Sequence, residues 1–390
     1  MDSPRVILHL DLDAFFCAVE EIKDPGLRGK AFAVGGSPTG RGVITSCSYP
    51  ARKMGVHSAM PAGKALQLCP TLILVSRNHR DYGRYSKMVM KCLGRYSDQV
   101  EQISIDEAFL DISDLGAEPR SVGAELQGLI LDELGLPNSI GIASNKLVAK
   151  IATDVGKVAS TGDSYPNAIT VVPPGEERTF LDPLPVDMLW GVGPKTRERL
   201  ERINIYTIGD LASYSEIDLA KSFGKHGYDL SRRAKGIDKR GIVTQRGVKS
   251  VSNERTFRED LGRKNEILKY ITQLSEKVSK RLKKKNLRGK TVQIKVRWSD
   301  FTTLTRQSTL SQTTNDFSVI RRTAAELLDQ VWDDGRMIRL VGVGVHNLDT
   351  EAHQLGLWDR EAIKDIKLQE TLKSLKEKYG ENVISRGINK

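Results

Sequence analysis

An apolar run that ends in an acid, RVILHLD at residues 5–11, leads directly into AFFCAVEEIK, whose apolar residues recur at helical spacing until Pro25 and Gly26 stop it. Asp11 therefore sits at a strand end, just before a helix. A second acid-bearing stretch, QVEQISIDEAFLDIS at 99–113, alternates like two strands joined by a tight turn and places Asp106 and Glu107 at the head of AFLDIS. A lone Asp-Glu pair is most often a solvated edge, but two acidic sets inside apolar strands are costly unless something pairs with them. Adjacent residues of a regular strand point to opposite sides, so Asp106 and Glu107 can share a site only at a turn or strand start.

The rest of the first half supports a layered fold. Short strands are expected at 31–34 and 42–46, short helices at 49–55 and 62–69, and Pro61 suits the first turn of the second helix. A long amphipathic helix follows from Asn78 to Tyr96, another spans about 120–134, and SIGIAS is a strand feeding a helix from Asn145 to about Lys157. That order predicts an antiparallel sheet with helices on one face, of the ferredoxin-like kind. From Pro173 to about Gly236 short helices alternate with glycine-containing turns, and residues 237–248 read as a polar, basic linker. A strand (249–257), a helix (about 263–286), strands at 289–299 and 302–310, a helix (316–332) and a strand (337–346) then give a second β-α-β-β-α-β domain.

Charge is distributed unevenly. The net charge is +11, and residues 241–350 alone hold 22 Lys plus Arg against 12 Asp plus Glu, so the last domain carries almost the whole excess. A field concentrated in one segment points to a polyanion, and nucleic acid is the expected partner. There is no signal peptide or run of apolar residues long enough to span a membrane, so a cytoplasmic location is expected. Cys17, Cys47, Cys69 and Cys92 stand apart from one another and read as buried reduced thiols.

Transfer at a sugar hydroxyl needs divalent cations held by hard oxygen ligands, and two or three carboxylates converging from neighbouring strands can provide them. Asp11, Asp106 and Glu107 meet that requirement. Asp13 shares a face with Asp11 and could be a further ligand, but the helix that follows favours it as an N-cap.

In order and spacing, HLDLDAFFCAVE (9–20), SYPARKMGV (48–56), SIDEAFLDIS (104–113), SIGIASNKLVAKIATD (139–154) and WGVGPKT (190–196) resemble the Y-family, or translesion, DNA polymerases, in particular the branch of bacterial polymerase IV and its archaeal relatives. The resemblance runs over about residues 5–350. It implies an α+β multidomain fold: a catalytic palm at 1–20 and 77–172, small fingers at 21–76, a helical thumb with a helix-hairpin-helix at 173–236, and a DNA-binding little finger at 249–350. It also implies a template-directed, low-fidelity DNA polymerase without proofreading, using two Mg²⁺ ions, deoxynucleoside triphosphates and primer-template DNA, and working as a monomer.

By the same resemblance Asp11, the carbonyl of Leu12, Asp106 and Glu107 hold the metals, and Phe16 is the steric gate against a 2′-hydroxyl. Ser46, Tyr49, Arg52 and Lys157 hold the triphosphate, although Lys157 is followed here by Val-Ala-Ser where the family often has Pro, Asn or Asp, and Gly. Ser58 and Ala59 roof the nascent base pair. Gly191, Gly193 and Lys195 belong to the hairpin, with Phe223-Gly224-Lys225-His226-Gly227 as a second candidate turn. Arg255, Arg258, Arg297 and Arg306 lie on expected strands, where alternation would aim some of them at phosphates. In the tail (351–390), Gln354, Leu355, Leu357 and Trp358 resemble a sliding-clamp peptide, ahead of an amphipathic helix at 361–379. The competing readings are another palm-fold nucleotidyl transferase or cyclase, and a catalytically silent DNA-binding accessory factor.

Overall fold

The computed structural model describes residues 5–350, apart from 161 and 163, together with residue 371. The chain divides into two units, Met1–Gly247 and Val248–Lys390. The first begins with β1 (Ile7–Leu12), α1 (Phe15–Lys23), β2 (Phe32–Gly35), β3 (Ile44–Cys47), α2 (Tyr49–Lys53), α3 (Ala62–Leu68), β4 (Ile73–Ser76) and α4 (His79–Leu93). It continues with β5 (Val100–Gln102), β6 (Glu107–Asp111), α5 (Pro119–Leu134), β7 (Asn138–Ala143), α6 (Lys146–Ala159) and β8 (Ile169–Val171).

Five of these strands form a sheet in the order β5-β6-β1-β7-β8, antiparallel except for the parallel pair β7-β8. Alternation along β1 sends Leu8, Leu10 and Leu12 to one face, where they pack with Tyr82 and Val89 of α4 and Leu126 and Ile130 of α5. Each such fully buried leucine contributes roughly 2 kcal/mol. The expectation of helices on one face is corrected here, because α6 covers the other. Ile7 and Phe109 pack there against Leu147, Val148 and Ile151. Gly141 is what lets α6 come close, since a Cβ at that position would lie 2.1 Å from the Ala149 carbonyl oxygen.

Strands β3-β2-β4 make a second, small sheet with α2 and α3, around a core that includes Ile44, Ala51, Val56, Met60 and Ala65. The short β4, parallel to β2, and β8, parallel to β7, were not foreseen. Five helices follow: α7 (Glu177–Leu181), α8 (Pro194–Glu201), α9 (Ile208–Ser213), α10 (Glu216–Phe223) and α11 (Lys225–Ala234). Thr207 and Asp210 form a capping box at the start of α9.

Residues 237–247 carry no helix or strand, yet they are pinned down. Ile242 packs on the core beside α6, the Arg240 guanidinium lies 4.6 Å from the Trp190 ring centre, and Glu101 accepts hydrogen bonds from the Val243 N–H and the Arg246 guanidinium. All four cysteines are buried and unpaired.

The second unit contains β9 (Ser250–Leu261), α12 (Lys264–Lys284), β10 (Leu287–Trp298), β11 (Thr303–Thr314), α13 (Phe317–Asp329) and β12 (Ile338–Thr350). The sheet order is β11-β10-β12-β9, wholly antiparallel. Val292, Ile294, Val296 and Trp298 face the helices, packing with Ile271, Leu274, Val278 and Leu328. The opposite face has no helix over it among the described residues and carries Gln293, Lys295, Arg297, Thr305 and Gln307, with Gly344 and Gly342 of β12 opposite Gln293 and Lys295.

Candidate active site

Strand register brings the acids together. Asp11 on β1 stands directly opposite Glu107 on β6, and the Leu12 N–H donates to the Asp106 carbonyl at 3.0 Å. Ser104 makes the bend: its hydroxyl accepts from the backbone N–H groups of Asp106 (3.2 Å) and Glu107 (3.0 Å) and donates to the Asp106 carboxylate at 2.5 Å. The strand begins at Glu107, so Asp106 and Glu107 stand at a strand start, where adjacent side chains can serve one site.

A cavity of about 270 Å³ opens beside these acids, lined by Asp11, Leu12, Ala14, Phe15, Phe16, Thr45, Ser46, Arg52, Ser58, Asp106 and Lys157. Four separate parts of the chain, 11–16, 45–58, Asp106 and Lys157, thus meet at one point. Phe16 is stacked on Tyr82 with ring centres 4.1 Å apart. Ser58 donates to the Thr45 carbonyl at 3.1 Å, which ties the wall to β3. Lys157 reaches the cavity although its following residues depart from the family pattern: α6 runs on to Ala159, and the Ser160 hydroxyl donates to the Gly156 carbonyl.

Not every expected residue lines that cavity. Tyr49 lies under the Arg52 guanidinium, 4.7 Å from its ring centre, and lines a neighbouring groove of about 510 Å³ whose acid is Glu21. The larger groove lacks the paired acids, so the chemistry belongs with the smaller one. Ala59, at φ 67°, follows Ser58 in the turn but does not line the cavity. Glu107 turns toward α6, where the Lys150 ammonium lies 2.9 Å from its carboxylate and the buried His9 Nε2 lies 3.6 Å away. His9 and Lys150 hold the Glu107 carboxyl down, to about 2, against the opposing effect of burial.

Asp13 corrects the sequence reading. The residue preceding α1 is Ala14, in the left-handed region at φ 43°, and no side chain caps the helix. Asp13 instead points inward and is fully buried. Its carboxylate accepts from the Ser139 hydroxyl and from the Asn167 N–H, and faces the Lys157 ammonium at 3.0 Å. Lys157 is also 2.6 Å from Asp11. Burial lowers its pKa, but the two carboxylates more than offset that and hold the ammonium above the ordinary lysine value.

Two further lysines escaped the sequence reading. Lys146 and Lys150 share a face of α6 with Lys157, and each meets an acid of the sheet or its end: Lys146 with Glu101 at 2.8 Å, Lys150 with Glu107, and Lys157 with Asp11 and Asp13. The signal was present as spacings of four and seven residues in NKLVAKIATDVGK.

The helical part carries the expected hairpin. Gly191, at φ 104°, and Gly193, which precedes α8, make a turn in which Gly193 accepts from the Thr196 and Arg197 N–H groups, and Lys195 is exposed. The second turn is also formed, with Gly224 at φ 62° between α10 and α11. In the second unit Arg297 lies on the helix-free face and bonds Thr303. Arg255, opposite Val341, lies over Tyr270 of α12, and Arg306 stands opposite Ile294, so both belong to the helix-bearing face. Arg258 is exposed on β9, beyond the last regular pair, Thr256 with Leu340. Gln354, Leu355, Leu357 and Trp358, and the helix expected at 361–379 apart from residue 371, lie outside the described residues.

Sequence profiles of the impB/mucB/samB family match residues 10–154, of that family's C-terminal domain residues 248–357, and of the IMS family HHH motif residues 174–205. The DNA polymerase IV of Listeria monocytogenes serotype 4b (strain F2365) is 42% identical over 351 residues, covering 89% of this chain and 96% of its own. That of Streptococcus thermophilus (strain CNRZ 1066) is 40% identical over 365 residues, covering 92% and 97%. Among solved structures, a chimeric Y-family DNA polymerase has a TM-score of 0.80 at 26% identity, covering 89% of this chain and 100% of its own. DinB from Sulfolobus solfataricus has a TM-score of 0.59 at 26% identity, with the same coverage.

The chain belongs to the Y-family DNA polymerases. It is a DNA-directed DNA polymerase of the translesion type, with DNA and nucleotides as substrates and a dependence on divalent metal, and neither the silent accessory factor nor another palm-fold enzyme is favoured. As a Y-family polymerase it needs oxygen ligands, and its acids fit that need. Burial, together with the neighbouring Asp11 and Glu107, pushes the Asp106 carboxyl above its ordinary value, a crowding of negative charge that cations relieve. Among the described residues no three potential ligands already converge, since Asp11 and Glu107 are each drawn to a lysine. No helix among them is long and apolar enough to cross a membrane.

Proposed function

We propose that Asp11, Asp106 and Glu107, with the carbonyl of Leu12, hold two Mg²⁺ ions and form the nucleotidyl-transfer centre of this polymerase. The observation that carries the reading is the cavity where Asp11, Asp106, Phe16, Ser46, Arg52 and Lys157 meet, drawn from four parts of the chain. Bound there, the ions would acidify the primer hydroxyl and neutralise the triphosphate. The side chains divide the remaining work. Arg52, Lys157, Ser46 and Tyr49 bind and orient the triphosphate, the guanidinium and ammonium countering charge that grows on the phosphate oxygens. Phe16, braced by Tyr82, closes the space a 2′-hydroxyl would need. Ser58 and Ala59 are small, leaving room over the nascent pair for a damaged base.

The proposed division assigns 1–20 and 77–172 to the palm, 21–76 to the fingers, 173–236 to the thumb and 249–350 to the little finger, with 237–248 as the connection. The hairpin glycines Gly191 and Gly193, with Lys195, would face a phosphate through backbone N–H groups. Arg297 and its polar face would hold duplex DNA without reading sequence. Gln354, Leu355, Leu357 and Trp358 would fill an apolar pocket on a sliding clamp, and the enzyme would act as a monomer in the cytoplasm.

Primer extension on a primer-template with Mg²⁺ and single deoxynucleotides tests the centre. Template-dependent extension by the wild type, lost in Asp106→Ala, supports the assignment; equal extension by both proteins overturns it.

A further inference from the structure

Asp13 is an acid with no access to solvent, beside a site whose Asp11 and Asp106 line the cavity. Its oxygens are already occupied. The Ser139 hydroxyl lies 3.0 Å from each of them, the Asn167 N–H donates to Oδ2 at 3.1 Å, and the Lys157 ammonium stands 3.0 Å from Oδ1. Asp13 does not line the cavity, which sets it apart from the proposed metal ligands, and the absence of any side-chain cap on α1 excludes the helix-start role. A fully buried carboxylate is tolerated only when it is paired and hydrogen-bonded.

The pairing is asymmetric. Lys157 has three N–H donors and two carboxylate neighbours, Asp11 at 2.6 Å and Asp13 at 3.0 Å. Asp11 lines the cavity and can exchange its partner for one that enters; Asp13 cannot. The anchor on the far side is therefore permanent while the near partner is replaceable. We infer that Asp13 is a positioning residue for nucleotide binding: it fixes the Lys157 ammonium at the cavity wall, so that when Asp11 lets go, the freed donor meets a triphosphate oxygen.

The left-handed Ala14 fits this arrangement. By turning the chain sharply after β1, it drives Asp13 inward toward Ser139 of β7 while Phe16, three residues on from Asp13, reaches the cavity. Asn167, at φ 44°, likewise turns its N–H onto the carboxylate. Two strained positions thus converge on one buried acid.

The inference rests on the reading of Lys157 as a triphosphate ligand, and a double-mutant cycle separates the two. Single-nucleotide incorporation is measured for the wild type, Asp13→Asn, Lys157→Ala and the double variant at saturating Mg²⁺. Asparagine keeps the shape and an acceptor for Ser139 and Asn167 but removes the charge that holds the ammonium. Each single change should raise the deoxynucleotide KM by roughly fivefold or more, and the double variant should be no worse than Lys157→Ala, because residues that act through one another are not additive. Effects that multiply, or an unchanged KM in Asp13→Asn, overturn the inference while the ligand reading stands. An unchanged KM in Lys157→Ala overturns the ligand reading, and the inference with it. Where Asp13→Asn does not fold, Ser139→Ala, which loosens the carboxylate but keeps its charge, takes its place in the cycle. A small KM rise that vanishes in the Lys157→Ala background supports the inference, and a rise that persists there, or none at all, overturns it.

Discussion

The Lys150 ammonium lies 2.9 Å from the Glu107 carboxylate, reaching across from α6 to the strand that stands opposite Asp11. With His9, it holds Glu107 at a pKa of about 2, below the ordinary value of 4.5. A folded-state value below the unfolded one means that ionised Glu107 favours the native state above pH 4.5. That contribution fades as the pH falls from there toward 2. In metal-free buffer, the stability gap between wild type and Glu107→Gln should be on the order of 1–3 kcal/mol at pH 6 and shrink steadily below pH 4.5. Urea melts at several pH values read it directly; a gap that does not change with pH would show that the pair adds nothing through charge.

Phe16 is held by stacking on Tyr82, so its ring cannot easily move aside for a larger sugar. Phe16→Ala should lower the preference for deoxyribonucleotides over ribonucleotides by on the order of 100-fold, mostly through better ribonucleotide incorporation. Single-nucleotide kinetics with the matched pair of substrates measures it. Unchanged sugar discrimination removes Phe16 from the gate.

Glu101 is nearly inaccessible, at 1% exposed, and joins the equally buried Lys146 to the segment 237–247. Burial raises its pKa, but Lys146, the Val243 N–H and Arg246 more than compensate, so the carboxyl is held below its ordinary value. Glu101→Gln should cost about 3 kcal/mol, because it leaves Lys146 buried without a counter-charge. It should also speed tryptic cleavage after Arg246. Adding Lys146→Met should restore much of the stability but not the protection from trypsin, since the anchor for Arg246 is still missing. Restored protection would mean that Ile242 packing and the Arg240 contact with Trp190 hold the segment without Glu101.

The contrast between what could and could not be read from the sequence has a physical basis. Asp11, Asp106 and Glu107 stood out because a charge inside an apolar alternating run violates a local rule, and local rules are visible in one dimension. Asp13 broke no rule, since an acid before a helix has a cheap local explanation, and its actual partner Ser139 lies 126 residues away. Lys146 and Lys150 gave no local sign of their partners, because Glu101 and Glu107 lie 45 and 43 residues away. Strands β4 and β8 are four and three residues long and pair in parallel with distant strands, so neither length nor a hairpin turn announced them. The one-face reading of the sheet failed at Gly141, where a missing side chain, rather than an apolar one, admits α6.

The basic domain makes a last case, because alternation alone did not sort its arginines. The register of β10 with β11 shifts between Gly289 and Thr291, and only the paired strands show that Arg297 shares the helix-free face with Gln293 and Lys295, while Arg306 lies opposite Ile294 on the other side. A side chain that neutralises one phosphate contributes about one unit to the slope of log affinity against log salt. Arg297→Ala should therefore weaken primer-template binding at low salt and make that slope shallower by about 1, whatever the DNA sequence. Arg306→Ala should leave the slope as it is. Fluorescence anisotropy with labelled duplex at several salt concentrations distinguishes the two, and a change at Arg306 with none at Arg297 would place the DNA against the helix-bearing face.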